Sequence, residues 1–168
     1  MIATDKPLNV LFLCTHNSAR SILAEALLNA MGGGRFKAYS AGSSPRDNQK
    51  PNPLGLQVLQ TAGISIEGLH SKSWEVFATP DAPQMALIIT VCDNAAGEVC
   101  PIWPGHPVTA HWGYPDPSEG DAPDEAKLEA FRKTLHMMKR RLELLTNLPT
   151  DKLEKTVLQG TARELSSH

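Results

Sequence analysis

Apolar positions along this chain fall into blocks of two different periods. Residues 8–13 (LNVLFL) form an apolar run without alternation, the pattern of a strand buried on both faces of a parallel sheet. A polar loop follows and opens into Ile22-Leu23-Ala24-Glu25-Ala26-Leu27-Leu28, a strong helix-forming stretch that stops at Gly32-Gly33-Gly34. Residues 36–40 predict a second short strand, after which comes a loop rich in Gly, Ser and Pro. Asn52 is placed to cap a helix that has Pro53 at its first position and runs to Gly63. A short helix is predicted over 73–77, a third buried strand over 86–91 (ALIITV) and a fourth over 108–111. In residues 125–145, Leu128, Phe131, Leu135, Met138, Leu142 and Leu145 share one stripe, which predicts a long amphipathic helix.

Strands alternating with helices predict an α/β fold, an about four-stranded parallel sheet with helices on both faces. A length of 168 residues suits one domain, expected over 1–148. Leu153, Val157, Leu158 and Leu165 then fit a C-terminal helical extension, 149–168, packed on that domain. Sheets of this class bind ligands beyond the carboxyl ends of their strands, where the strand order reverses. Cys14, Cys92 and the loop after His111 all stand just past predicted strand ends. Three distant loops are therefore expected to meet at one site.

Composition narrows the function classes. With 41% hydrophobic and 20% charged residues, the chain has the material for a core and is not a disordered chain. Lys and Arg number 16 against 18 Asp and Glu, which leaves no basic excess for a nucleic-acid partner. The one basic cluster, Lys139-Arg140-Arg141, is expected on the solvated face of a helix. No apolar run approaches the ~20 residues of a membrane span. Residues 8–14 are too short for a signal peptide and run straight into polar residues, so a cytoplasmic protein is expected. Three cysteines make no closed disulfide framework. In a reducing compartment such thiols are metal ligands, chemical actors or simply small buried side chains.

The loop Cys14-Thr15-His16-Asn17-Ser18-Ala19-Arg20-Ser21 carries the clearest chemistry. Between a strand and a helix N-terminus, the backbone N–H groups of a tight loop turn inward and cup a tetrahedral anion. Arg20 can add a bidentate grip on two of its oxygens. The same positive field favours a thiolate, which makes Cys14 the candidate nucleophile. Ser21 can hydrogen-bond that sulfur when it leaves, and Asn17 has the short amide that brackets tight loops.

Residues 10–21, VLFLCTHNSARS, resemble the signature of the low-molecular-weight tyrosine phosphatase superfamily. Ala24-Glu25-Ala26, Tyr39-Ser40-Ala41-Gly42, Thr90-Val91-Cys92-Asp93 and residues 111–117 (HWGYPDP) resemble its arsenate reductase branch, in the same order along the chain. By this resemblance Asp116 is the general acid that protonates the leaving oxygen. Phosphotyrosine phosphatases of the superfamily place aromatic residues directly after the Asp-Pro pair. Here Ser118 and Glu119 follow Pro117. Reducing arsenate takes two electrons, so a second thiol must attack Cys14 once arsenic is bound to it. The resemblance gives that step to Cys92 and the next exchange to Cys100, with the disulfide carried outward to reduced thioredoxin. The interval between Cys92 and Cys100 is one residue longer than in well-known relatives, which leaves glutaredoxin or mycothiol open as the thiol system.

The resemblance implies no bound cofactor and a phosphate- or arsenate-type oxyanion as partner. Its other outcome is a low-molecular-weight protein tyrosine phosphatase hydrolysing phosphate monoesters through a Cys14 phospho-enzyme. A zinc site from Cys92, Cys100, His106 and His111 is disfavoured, because that spacing is not a common finger pattern and ignores Cys14. Some reductases of the family hold a potassium ion beside the loop, at positions matching Asn17, Glu25 and Ser40. Where relatives add an aspartate, this chain reads Ser71-Lys72-Ser73, so weak affinity for that cation is expected.

Overall fold

The computed structural model describes residues 7–91, 108–118 and 120–147. Four parallel strands form one sheet: β1 (Leu8–Cys14), β2 (Phe36–Gly42), β3 (Leu87–Thr90) and β4 (Val108–His111), in the order β2-β1-β3-β4. Val10, Leu11, Phe12 and Leu13 of β1 are completely buried, which is why this strand reads as an unbroken apolar run. Cys14 pairs with Gly42 at the end of β2, and Leu13 with Thr90 at the end of β3.

Alternate residues of β1 serve different faces. Val10 and Phe12 join the larger core with α1 (Arg20–Met31), α2 (Pro53–Thr61) and α3 (Asp124–Thr146). Leu11 and Leu13 face the smaller one, covered by Trp74, Phe77 and Met85, with Trp74 and Phe77 in a single 3-10 turn. Local chemistry sets the helix starts. The Asn52 carboxamide accepts the Leu54 N–H at 2.9 Å, with Pro53 as first residue of α2. The Ser73 hydroxyl accepts the Glu75 N–H at the start of the 3-10 turn. On α3, Phe131, Leu135, Met138, Leu142 and Leu145 are buried in one stripe, and Leu128 is half-buried.

β1 lies between β2, which follows it, and β3, so the loops leaving β1 and β3 diverge at a switch point. Beyond the strands the chain stays tied to this edge: Val91 N–H donates to Leu13 C=O at 2.8 Å, Trp112 to Thr90 at 2.7 Å and Tyr114 to Val91 at 3.2 Å. No helix among the described residues is long and apolar enough to cross a membrane. The predicted C-terminal extension lies outside the described residues, as do Cys92, Cys100 and His106.

Candidate active site

Cys14 is the last residue of β1 and is 3% exposed. The loop behind it is shaped by where its carbonyls go. Those of Cys14 and Thr15 accept from Ser43 N–H at 3.0 Å and Ser44 N–H at 2.8 Å, and that of Ser18 accepts from Asn52 N–H at 2.8 Å. The Asn17 carbonyl accepts from the Ser71 hydroxyl at 2.6 Å. In a trans peptide the N–H points opposite to its carbonyl, so with the carbonyls drawn outward the N–H groups of this loop turn inward. Inward N–H groups are what an anion cup at this loop requires. Thr15, His16 and Ser18 are half-buried in it, and Ala19 is buried just ahead of α1.

Asn17 holds the turn. Its φ is +55°, a left-handed conformation that Asn tolerates better than most residues. Its side chain is completely buried and fully engaged. The Lys72 N–H donates to Oδ1 at 2.9 Å, which fixes which end of the carboxamide is which. Nδ2 then donates to Ser21 Oγ at 2.8 Å and Ser40 Oγ at 2.9 Å. The Ser40 hydroxyl in turn donates to Glu25 Oε1 at 2.5 Å. Ser21 Oγ, already accepting from Asn17, lies 2.8 Å from Cys14 Sγ. With one lone pair taken by Asn17, the Ser21 hydroxyl can turn its hydrogen to Cys14 Sγ, and a sulfur that accepts it is stabilised as thiolate.

Arg20 opens α1 on the front of the loop. Nη1 donates to the Tyr114 carbonyl at 2.9 Å, and Nη2 lies 3.7 Å from Asp116 Oδ2. Nε is buried with no hydrogen-bond partner among the described residues. A buried unmet donor costs about 1–3 kcal/mol, and an oxyanion in the cup would meet it. Asp116 Oδ1 accepts from Ser118 N–H at 2.9 Å and Ser118 Oγ at 2.7 Å, which leaves Oδ2 as the oxygen on the Arg20 side. The Arg141 guanidinium lies over the Tyr114 ring, 4.9 Å from its centroid, and 5.9 Å from that of Trp112. Of the basic trio only Lys139 and Arg140 are exposed; Arg141 is turned onto the segment that carries Asp116.

Three predicted elements of the site thus come together: the loop, Arg20 and Asp116. Cys92 and Cys100 lie outside the described residues, but Val91, one residue before Cys92, is bonded to Leu13, one residue before Cys14. Sequence reasoning missed the Tyr114 carbonyl and gave Ser71 and Gly42 no role in holding the loop. It also missed the Thr90 Oγ1 contact with His111 Nδ1 at 2.6 Å, across the ends of β3 and β4. At the positions the resemblance gives to a potassium ion, an ammonium already takes one of the oxygens, the Ser40 carbonyl. Lys72 Nζ donates to the Ser40 carbonyl at 2.9 Å and the His70 carbonyl at 2.7 Å.

Residues 9–158 match the family described as low molecular weight phosphotyrosine protein phosphatase. An arsenate reductase of Bacillus licheniformis is 33% identical over 135 residues, 80% of this chain and 91% of that protein. The solved arsenate reductase of Archaeoglobus fulgidus superposes with a TM-score of 0.62 at 27% identity, over 83% of this chain and 99% of that one. A thioredoxin-dependent arsenate reductase of Corynebacterium glutamicum superposes with a TM-score of 0.55 at 26% identity, over 85% of this chain and 65% of that one. This chain thus spans just under two thirds of the Corynebacterium protein. The family match takes in the anion loop, the strands and α3, and the chain belongs to the low molecular weight phosphotyrosine protein phosphatase family.

Proposed function

We propose that this protein reduces arsenate to arsenite, in arsenic detoxification, by a relay through its three cysteines. The observation that carries the reading is Cys14 Sγ held by Ser21 at the start of a loop whose Arg20 reaches to Asp116. The Cys14 thiolate attacks arsenic, and Asp116 gives its proton to the departing hydroxide, which leaves as water. Arg20 and the N–H groups from Thr15 to Ser21 hold the remaining oxygens. The Cys92 thiolate then attacks Cys14 Sγ. The electron pair of the sulfur–arsenic bond passes to arsenic, arsenite leaves, and a Cys14–Cys92 disulfide remains. Attack by Cys100 on Cys92 frees Cys14 and moves the disulfide outward, where a dithiol donor reduces it.

Two observations support reduction over ester hydrolysis. Asp116-Pro117 is followed by Ser118, which binds the acid itself, where a phosphotyrosine enzyme would raise an aromatic wall. The Bacillus relative and both solved neighbours are named arsenate reductases. The donor we propose is thioredoxin, on the likeness to the Corynebacterium protein, and the compartment is the cytoplasm, where these thiols stay reduced.

The test is arsenate-dependent NADPH oxidation with thioredoxin and thioredoxin reductase, beside a glutaredoxin system. Cys14→Ser is expected to abolish turnover, and Arg20→Ala to lower it by about 10²–10³-fold. Cys100→Ser should complete a single round and stop with a Cys14–Cys92 disulfide, read by peptide mapping. Substantial turnover by Cys14→Ser overturns the proposal. Efficient hydrolysis of phosphotyrosine peptides without arsenate turnover would favour a phosphatase working through a Cys14 phospho-enzyme.

A further inference from the structure

Behind the anion loop lies a charge pair that the relay does not use. Residues 70–72 run past the end of β2 and close on Asn17 from the rear. The Ser71 hydroxyl takes the Asn17 carbonyl, the Lys72 N–H takes the Asn17 carboxamide oxygen, and the Lys72 carbonyl accepts the Gly42 N–H at 2.8 Å. The Lys72 side chain then turns back, so that its ammonium sits on the Ser40 and His70 carbonyls. Ser40 is also the residue that joins Asn17 to Glu25. One unbroken line of hydrogen bonds therefore runs from Glu25 through Ser40, Asn17 and Ser21 to Cys14 Sγ, with a cation fastened beside it on the Ser40 carbonyl.

We infer that the Lys72 ammonium is the resident counter-ion of the anion loop: a positioning residue that holds Ser40 and Asn17 so that Ser21 donates to Cys14, in the place of a monovalent metal ion. The inference rests on the reading of Cys14 as the nucleophile. Its physical basis is that a buried carboxylate needs an opposite charge and a full set of hydrogen bonds to stay ionised. Burial pushes the Glu25 carboxyl up and the Lys72 ammonium down, and each charge pulls the other back. His70 adds a smaller pull on Glu25, while Arg20 and Asp116 face the front of the loop. A tethered ammonium needs no capture from solution, so the arrangement is present at any salt composition. Without it, the Ser40 carbonyl loses a donor and Glu25 loses its counter-charge. The donor line to Cys14 loosens and the local potential turns more negative. Both changes disfavour the thiolate.

The test reads Cys14 itself and needs no arsenate. The alkylation rate of Cys14 by iodoacetamide at neutral pH is followed by mass spectrometry of its peptide, in the intact chain. Lys72→Ala should alkylate about tenfold more slowly, the effect of one unit of thiol acidity, with its thermal melt retained. Ammonium, methylammonium or potassium salts should restore most of that rate in Lys72→Ala. They should change the wild type by less than about twofold relative to sodium. Lys72→Arg, which keeps the charge, should stay near the wild-type rate. An unchanged rate in Lys72→Ala overturns the inference. So does a slow Lys72→Ala that no cation restores alongside an equally slow Lys72→Arg, which would assign the effect to packing of the lysine stem. Should Lys72→Ala not fold, a strong potassium-specific acceleration of the wild type overturns it, and a wild type indifferent to potassium with an active Lys72→Arg supports it. A cation-restored alkylation rate in a protein that does not turn over arsenate would leave this inference standing and remove only the reductase reading.

Discussion

Gly42 shows how much of the site depends on one missing methyl group. A Cβ there would stand 2.7 Å from the Thr15 carbonyl oxygen, 2.9 Å from His16 C and 3.0 Å from Asn17 N. The reason for glycine is space, since β2 is ordinary extended backbone up to this point. Gly42→Ala must push the loop forward, at a cost of about 1–3 kcal/mol in stability. It should lower kcat/KM for arsenate at least about tenfold, because the loop N–H groups leave the anion's oxygens. Urea melts and the coupled assay check the two parts; unchanged kinetics would mean that the loop yields without losing its shape. The Cys14-to-Arg20 spacing and the bracketing amide of Asn17 were legible in the sequence because they are side-chain identities at short range. The Tyr114 carbonyl that takes Arg20 was not, since every residue has a carbonyl. Nor was Ser71, which meets Asn17 across 54 positions of chain.

At the scale of elements, unbroken apolar runs, helix caps and the 3.6 period located every described strand and helix to within a few residues, because burial decides where apolar residues fall. α3 illustrates what that leaves out. Phe131 is completely buried, and its Cε1 lies 3.1 Å from where a Cβ on Gly55 of α2 would stand. Glycine there lets the two helices close on the ring, a contact that no pattern on either helix announces. Phe131→Ala should cost about 3–5 kcal/mol, read from urea unfolding, while the folded fraction keeps its Cys14 chemistry. The same helix carries Lys139-Arg140-Arg141, which the sequence reads as one solvated face. Consecutive helical residues point about 100° apart, so three in a row cannot share a face. Arg141 is the member turned inward, onto Trp112 and Tyr114, and so supports the segment that brings Asp116 to Arg20.

For the molecule as a whole, the buried Glu25 carries a pH signature opposite to that of an ordinary paired carboxylate. Burial raises its folded pKa above 4.5, so the native state binds more protons than the unfolded chain in the window just above that value. Its contribution to stability is therefore fullest below 4.5 and is lost as pH rises through the folded pKa. The free energy of unfolding of the wild type minus that of Glu25→Gln should fall between about pH 4 and the neutral range in urea melts. A rise would reverse the assignment.

The sheet order has one more consequence. What backs the Cys14 loop, β2 and residues 70–72, lies on one flank of β1, while Val91 and the segment with Asp116 lie on the other, against β3 and β4. On the proposed relay, the backing of the loop and the delivery of electrons therefore come from opposite sides of β1. If the relay holds, a lineage or an engineer could rewrite the stretch after β3 to suit a new reductant and keep the backing of the Cys14 loop.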